Sequence, residues 1–386
     1  MAANIAPYIV SLLANATPYI PSDGAQVIER LPSRRDPAQR ELTQLRQQLA
    51  IAPNDLALAV KLAQRYIEIG RKEFDPRYLG YAQASLGPWW NMDRPPVLVL
   101  MLRATLLQNR HQFAEALADL DSLLKVDRRN PQAWLTRASV LQAQGRYEEA
   151  KASCANLYRL SSSLVTQTCM AAANSLSGQA VLSYKALLAA LSSDQSQADS
   201  VKVWVIEQLA EMAWRLGDKQ AAEAHYEQAL SIAPADSYLL ASYGDFLLDQ
   251  ERYAEVESLL KDKRRADPLL LRYALALKAR RSPAVVAEIE ALRARFEAAN
   301  RRGDSVHLRE QSRFELQLMN RPELALKLAR ENWSKQKEPA DARTLLEAAI
   351  AAHEPEAARE TIVWLKAASL EDYTLSRLVK TLEPVS

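Results

Sequence analysis

The side chains able to do chemistry are few and scattered. Four histidines, His111, His225, His307 and His353, lie far apart, and none has a second ligand three or four residues away, so the helical spacing that grips a metal is missing. There is no glycine-rich phosphate loop, no G-x-S-x-G and no H-E-x-x-H, and nine glycines in 386 residues leave little backbone for an anion cradle. Carboxylate pairs such as Glu148-Glu149 fall on exposed helical faces. These absences predict no catalytic residue, no metal and no cofactor, and they disfavour an unrecognised enzyme.

Two groupings remain. Between Val203 and Leu216, Ile206, Leu209, Ala210 and Ala213 make one apolar stripe, while Trp204, Glu207, Glu211 and Trp214 make a second, roughly 130° away at about 100° per residue. Burial of the first stripe leaves the second facing a groove, and Tyr238 and Asp245 continue it on the next helix. An aromatic and acidic surface suits a basic or aromatic partner segment, extended or helical. The competing reading is that the tryptophans only fill gaps between neighbouring helices. The second grouping is Cys154 and Cys169, whose relation depends on the elements that carry them.

Those elements follow from an internal offset of 34 residues. Leu100 falls on Trp134, Arg103-Ala104 on Arg137-Ala138, Leu107 on Leu141, Phe113 on Tyr147, and Glu115-Ala116 on Glu149-Ala150. A period of this length means a stacked array rather than one closed core. Each unit reads as two helices, the first with a small residue at Ala104 or Ala138, then a turn near His111 or Gly145. The offset returns between Val203 and Leu270, where Leu209-Ala210 lies on Tyr243-Gly244 and Pro234 on Pro268. This pattern resembles the tetratricopeptide repeat, most closely in Gly217-Asp218, Ala221-Ala222-Glu223, Tyr226, Ala229-Leu230 and Pro234. The resemblance implies an all-α fold, a right-handed solenoid of stacked antiparallel helix pairs whose concave groove holds a protein segment. Some members of the family clamp a carboxylate tail with Lys, Asn and Arg on successive first helices; here the corresponding places hold Met101, Thr105, Leu135, Ser139, Glu207 and Glu211, so that ligand is not expected. As a whole the chain resembles bacterial exported repeat proteins of unassigned role.

The predicted organisation is a lead-in over 1–37 and one solenoid over 38–382. Its clearest repeats are 97–163 and 203–268, its degenerate ones 56–96, 164–202 and 269–369, and its cap 370–382. In the first unit the turn is enlarged by Arg71 to Gly80, the second helix runs Tyr81 to Leu86, and Gly87-Pro88 stops it. Trp89-Trp90 reads as a packed elbow. Ser192 to Ser200 reads as a mobile loop. Cys154 and Cys169 fall on consecutive antiparallel helices, each about seven residues from the turn at Ser161-Ser162, which brings them level at roughly 1.5 Å of rise per residue. A disulfide and two buried free thiols both fit that placement.

Lys and Arg number 49 against 47 Asp and Glu, a formal +2, too little for counterion release to drive tight binding of nucleic acid by the whole chain. The excess is concentrated between Lys261 and Arg313, with 14 basic and 7 acidic residues, read as solvated helical faces or as a surface for an acidic partner. No apolar run reaches the roughly 20 residues that span a bilayer. Ile5 to Leu13, followed by Ala14-Asn15-Ala16, has a signal-like form that favours export to the periplasm over a cytoplasmic site. The function expected is a non-catalytic scaffold or adaptor; a structural subunit joined through its ends to an envelope or secretion assembly is the alternative.

Overall fold

The computed structural model describes residue 23 and residues 37–73, 75–194, 196–303 and 307–383. The signal-like Ile5 to Leu13 and nearly all of the lead-in lie outside the described residues. Within the described residues every regular element is a helix. After α1 (Pro37–Ile51), α2 (Leu56–Glu73) pairs with α3 (Arg77–Ser85), and a short α4 (Gly87–Trp90) leads to α5 (Val97–Asn109) with α6 (Phe113–Val126). The pairs α7 (Pro131–Ala143) and α8 (Tyr147–Ala155), α9 (Ser163–Ser175) and α10 (Ala180–Ser193), α11 (Asp199–Arg215) and α12 (Lys219–Ile232), and α13 (Ser237–Asp249) and α14 (Tyr253–Leu260) follow. Then come α15 (Asp267–Ala279) with α16 (Val285–Arg301), and α17 (Leu308–Arg313), which runs through a π-helical turn (Phe314–Leu318) towards α18 (Pro322–Trp333). The chain ends with α19 (Pro339–Ala351), α20 (Arg359–Ala368) and α21 (Tyr373–Leu382). This is an all-α solenoid of helix pairs.

Local chemistry sets the boundaries. Asn130, Ser162, Asp218 and Asp372 each accept a hydrogen bond from a main-chain N–H in the first turn of α7, α9, α12 and α21. Pro131, Pro322 and Pro339 open their helices, where the missing N–H costs nothing. From α5 onward, the turn after each first helix holds a residue with left-handed backbone: His111, Gly145, Gly178, Gly217, Glu251, Arg281, Asn320 and His353. The repeat is thus written into the backbone even where the side chains have drifted. Glycine takes this conformation freely, so the five non-glycine turns from Glu251 onward and at His111 are held by the packing around them.

Packing follows the small residues. Ala63, Ala104, Ala138 and Ala210 are completely buried, and Gly244 occupies the same place in its unit. A Cβ added to Gly244 would sit 3.4 Å from Arg272 Cδ and 3.6 Å from Leu260 Cδ1. One unit departs from expectation: α3 begins at Arg77 rather than Tyr81, and Gly87-Pro88 opens α4 instead of leading into an irregular connector. Pro88 stops the preceding helix and starts the next, because the first turn of a helix has no use for its N–H. Trp89 is buried there, and the carbonyl oxygen of Trp90 accepts a hydrogen bond from Arg103.

The Cys154 and Cys169 sulfurs are bonded, with Cα atoms 5.6 Å apart, pinning α8 to α9 beside Ala138 and Leu157. The boundary at Ser192 to Ser200 is short, since α10 reaches Ser193 and α11 starts at Asp199, ahead of the expected Val203.

Two stability outcomes follow. Gly244→Ala should be neutral or stabilising by roughly 0.5 to 1 kcal/mol, because helical glycine wastes backbone entropy, whereas Gly244→Leu should cost about 1 to 3 kcal/mol by overpacking; equal melting temperatures for both variants would contradict this close approach. Replacing Cys154 and Cys169 together by serine should lower stability by about 3 kcal/mol, read by denaturant unfolding.

Candidate functional site: an enclosed cavity

The first helices of successive units face inward, and the last helices return to meet them. The main-chain N–H of Lys337 donates to Ala143 O at 2.7 Å, Arg343 makes two 2.7 Å hydrogen bonds to the Asp249 carboxylate, and Glu371 accepts from the main-chain N–H of Ala180. Trp364 lies so close to Gly145 that an added Cβ would meet its ring at 2.6 Å. Ser369 packs likewise on Gly178, and Tyr373 on Gly217. At the other end of the curve, Arg265 pairs with Asp75 at 3.3 Å. The groove is therefore folded into a cavity of about 590 Å³, walled by α7, α9, α11 and α13 on one side and by α17, α19 and α21 on the other.

Trp204, Glu211, Trp214, Tyr238 and Asp245 all line this cavity, and Glu207 sits behind them on α11. The first stripe, Ile206, Leu209, Ala210 and Ala213, is buried. Both tryptophans are half-buried. Trp204 packs on the disulfide-centred cluster, and Trp214 meets Phe246 edge-on with ring centres 6.0 Å apart. They fill gaps between units and present a face to the cavity at once.

The electrostatics differ from a simple acidic groove. Arg272 and Arg313 both bind the Asp245 carboxylate, the latter at 2.8 and 3.1 Å. Burial alone would raise the Asp245 carboxyl, but the two guanidiniums outweigh it and hold it well below the usual carboxylate range. Asp245 thus serves the wall and is not a free acid for a partner. The basic stretch is not made only of solvated faces either: Arg272 is 5% exposed, and Arg309 and Arg313 point inward from α17. Arg309 reaches Glu338 at 3.1 Å and Asp341 at 3.2 Å, and Arg343 also holds Glu347 at 2.7 Å. Sequence reasoning missed these arginines as site residues. The available signal was their spacing, since Arg309, Arg313 and Gln317 recur every four residues on one face.

Glu211 is different. The Tyr238 hydroxyl donates to its Oε1 at 3.0 Å and Gln208 Nε2 approaches Oε2 at 3.5 Å, and among the described residues it has no ion pair. Burial raises its carboxyl, only partly opposed by Arg215 and by the Tyr238 hydrogen bond. Glu207 is pushed up to about 9, by burial first and then by Glu211 and Asp236; its Oε1 is out of solvent with no hydrogen-bond partner. Tyr238 remains 54% exposed to the cavity, and the adjacent Glu211 with burial raises its hydroxyl well above the usual phenol range. Glu211, its carboxyl raised by burial beside the faces of Trp204 and Tyr238 and with Glu207 behind it, makes a subsite suited to a cation. No group of His, Cys, Asp and Glu among the described residues is arranged to hold a metal ion.

The folded Glu207 pKa of about 9 stands above its ordinary 4.5. The folded chain therefore holds a proton that the unfolded chain releases, so this contribution to stability is complete below about pH 4.5 and drains away as pH rises through about 9. Glu207→Gln should flatten the fall in melting temperature between pH 5 and 9 relative to the parent chain. Identical slopes would show that this carboxyl is hydrated and ordinary.

A model described as "Tetratricopeptide repeat" matches residues 131–163 and 205–236, the units carrying the disulfide and the Trp204 wall. None of the curated proteins compared with the chain matches it. Among solved structures it is similar to the APC/C hetero-tetramer Cut9–Hcn1, at 13% identity and a TM-score of 0.39 over 89% of this chain and 52% of that one, so it spans about half the length of that chain. It is also similar to a tetratricopeptide repeat protein from Parabacteroides merdae (14%, TM-score 0.36, 74% of this chain and 98% of that one). A human IFIT1 dimer with m7Gppp-AAAA is similar at 15% and a TM-score of 0.41, over 90% and 87% of the two chains. Scores of this size say nothing about partners. The two matched segments are tetratricopeptide repeats, and the helix pairs stacked around them share their small buried residue and left-handed turn, the kind of array that serves in general terms as a protein-interaction scaffold.

Proposed function

We propose that this protein is a non-catalytic adaptor that takes a segment of a partner protein into its cavity and seats a basic or aromatic side chain of that segment against Trp204, Glu207, Glu211 and Tyr238. The observation that carries this reading is the contrast between Glu211 and the other cavity acids. Asp245, Asp249, Glu310, Glu338 and Glu347 are each met by an arginine of the wall and Asp372 is engaged as the cap of α21, whereas among the described residues Glu211 is met only by neutral side-chain donors. A guanidinium or ammonium placed there would favour the ionised form of a carboxyl that burial pushes upward, and the aromatic faces beside it would add cation–π attraction. Four of the six arginines that line the cavity, Arg272, Arg309, Arg313 and Arg343, are paired with carboxylates, which leaves only Arg71 and Arg215 as positive charge for a phosphate backbone and favours a protein over a nucleic acid. The proposal includes action in an oxidising, exported compartment such as a periplasm, supported by a chain whose two cysteines are bonded to each other.

Capture of partners from the native organism by the full chain provides the test, followed by affinity measurement on the partner recovered. Trp204→Ala with Glu211→Lys should weaken that complex at least tenfold while leaving the far-ultraviolet circular dichroism unchanged. A complex that survives this change but is lost on altering exposed residues of α1 or α21 would transfer the role to the ends, as in a structural subunit of a larger assembly. Two thiols titrating in protein taken from its native compartment would remove the exported location.

A further inference from the structure

The outer side of the C-terminal half carries a second pocket that the cavity does not use. Helix α17 turns Arg309 and Arg313 inward, and on its other face Gln311 and Glu315 line a pocket of about 390 Å³ between α16 and α18. Phe296, Phe314, Leu324 and Leu328 supply its apolar wall, with Phe296 and Phe314 packed edge-on at 5.4 Å between ring centres. Its charges balance: Arg293 and Arg321 face Glu297 and Glu315. Gln311 is only 3% exposed, yet its Nε2 has no hydrogen-bond partner. One turn on, Glu315 Oε2 is equally without one, its nearest cation being Arg321 at 3.5 Å. Between them the helix changes register: the Met319 N–H reaches back five residues to Phe314 O at 3.1 Å, and the Arg321 N–H reaches Glu315 O at 2.8 Å. Such π turns are costly to keep and recur at functional sites.

We infer that this pocket is a binding site for an uncharged carboxamide carried on an apolar group, with the amide lying between Gln311 and Glu315 and the apolar part against Phe296, Phe314 and Leu324. The chemistry selects that class in three steps. A buried donor without a partner and a buried carboxylate oxygen that has an ion pair but no hydrogen bond each cost free energy, and a carboxamide, which both accepts and donates, satisfies the two together. The match survives rotation of the Gln311 amide, because one carboxamide pairs with another in either orientation. A balanced set of two arginines and two glutamates gives no advantage to a charged guest, which would leave one sign unmatched. The volume lies in the range of small-molecule sites. Burial raises the Glu315 carboxyl against the pull of Arg321 and Arg293, consistent with a group short of hydrogen bonds.

Three probes of one shape decide the matter on the full chain: 3-phenylpropanamide, 3-phenylpropanoate and 3-phenylpropylamine, titrated by ligand-observed NMR. The amide should bind saturably and at least tenfold more tightly than either charged analogue. Gln311→Met should weaken it at least tenfold. Leu324→Lys, at a position 38% exposed and so tolerant of change, should block the mouth to the same extent. If Gln311→Met fails to fold, the Leu324→Lys comparison stands alone. The inference is overturned if no probe saturates, if the three bind equally, or if the folded variants bind the amide as the parent does. Capture of a protein partner by the cavity is untouched by any of these outcomes, since Gln311 and Leu324 face away from Trp204 and Glu211.

Discussion

The interior of this molecule depends on a close approach between glycine turns of the repeat array and side chains near its C-terminal end. At Gly145, Gly178 and Gly217 the tight turns of three consecutive units come flush against Trp364, Ser369 and Tyr373. At Gly145 the demand is double: the backbone is left-handed, and no side-chain carbon fits beside the Trp364 ring. Without that contact the concave face would be an open, hydrated trough and its carboxyls would behave as surface groups. With it, the same residues are placed where burial dominates their titration, which is why Glu207 and Glu211 move upward while Asp245, bridged by two guanidiniums, moves down.

The closure is firm but not fully satisfied. Arg343 bridges α19 to α13 through Asp249, and Arg309 ties α17 to the start of α19. Nearby, the Tyr147 hydroxyl and Trp333 Nε1 are buried without hydrogen-bond partners, on either side of Trp364, which packs 5.9 Å from Tyr147 and 5.1 Å from Trp333 between ring centres. Each such orphan costs on the order of 1 to 3 kcal/mol.

What could be read from the sequence is what recurs locally. The 34-residue offset located Ala104 and Ala138, and again Ala210 and Gly244, because every unit needs a small residue where its helices touch, and helical periodicity separated the buried stripe on α11 from the stripe that faces the cavity. The closure was invisible to such reasoning. Lys337 meets Ala143 and Arg265 meets Asp75 across nearly 200 residues, through single hydrogen bonds and ion pairs that leave no periodic trace. The arginines of α15 and α17 were misjudged for the same reason, since a charged side chain facing outward in an isolated helix faces inward once the chain has curved round on itself. The first unit escaped in part because Pro88 can both end and begin a helix.

A stack of helix pairs is mechanically a spring, with its compliance in the joints between neighbours. The bond between Cys154 and Cys169 removes one of those joints by welding α8 to α9, directly beneath the wall where Trp204 stands. Strain applied to the array must then be taken up elsewhere, at the unwelded joints and at the seam with its unsatisfied groups. The wall beneath Trp204 is held by a covalent bond, and it faces a C-terminal side held by hydrogen bonds, ion pairs and packing alone, a vice with one welded jaw.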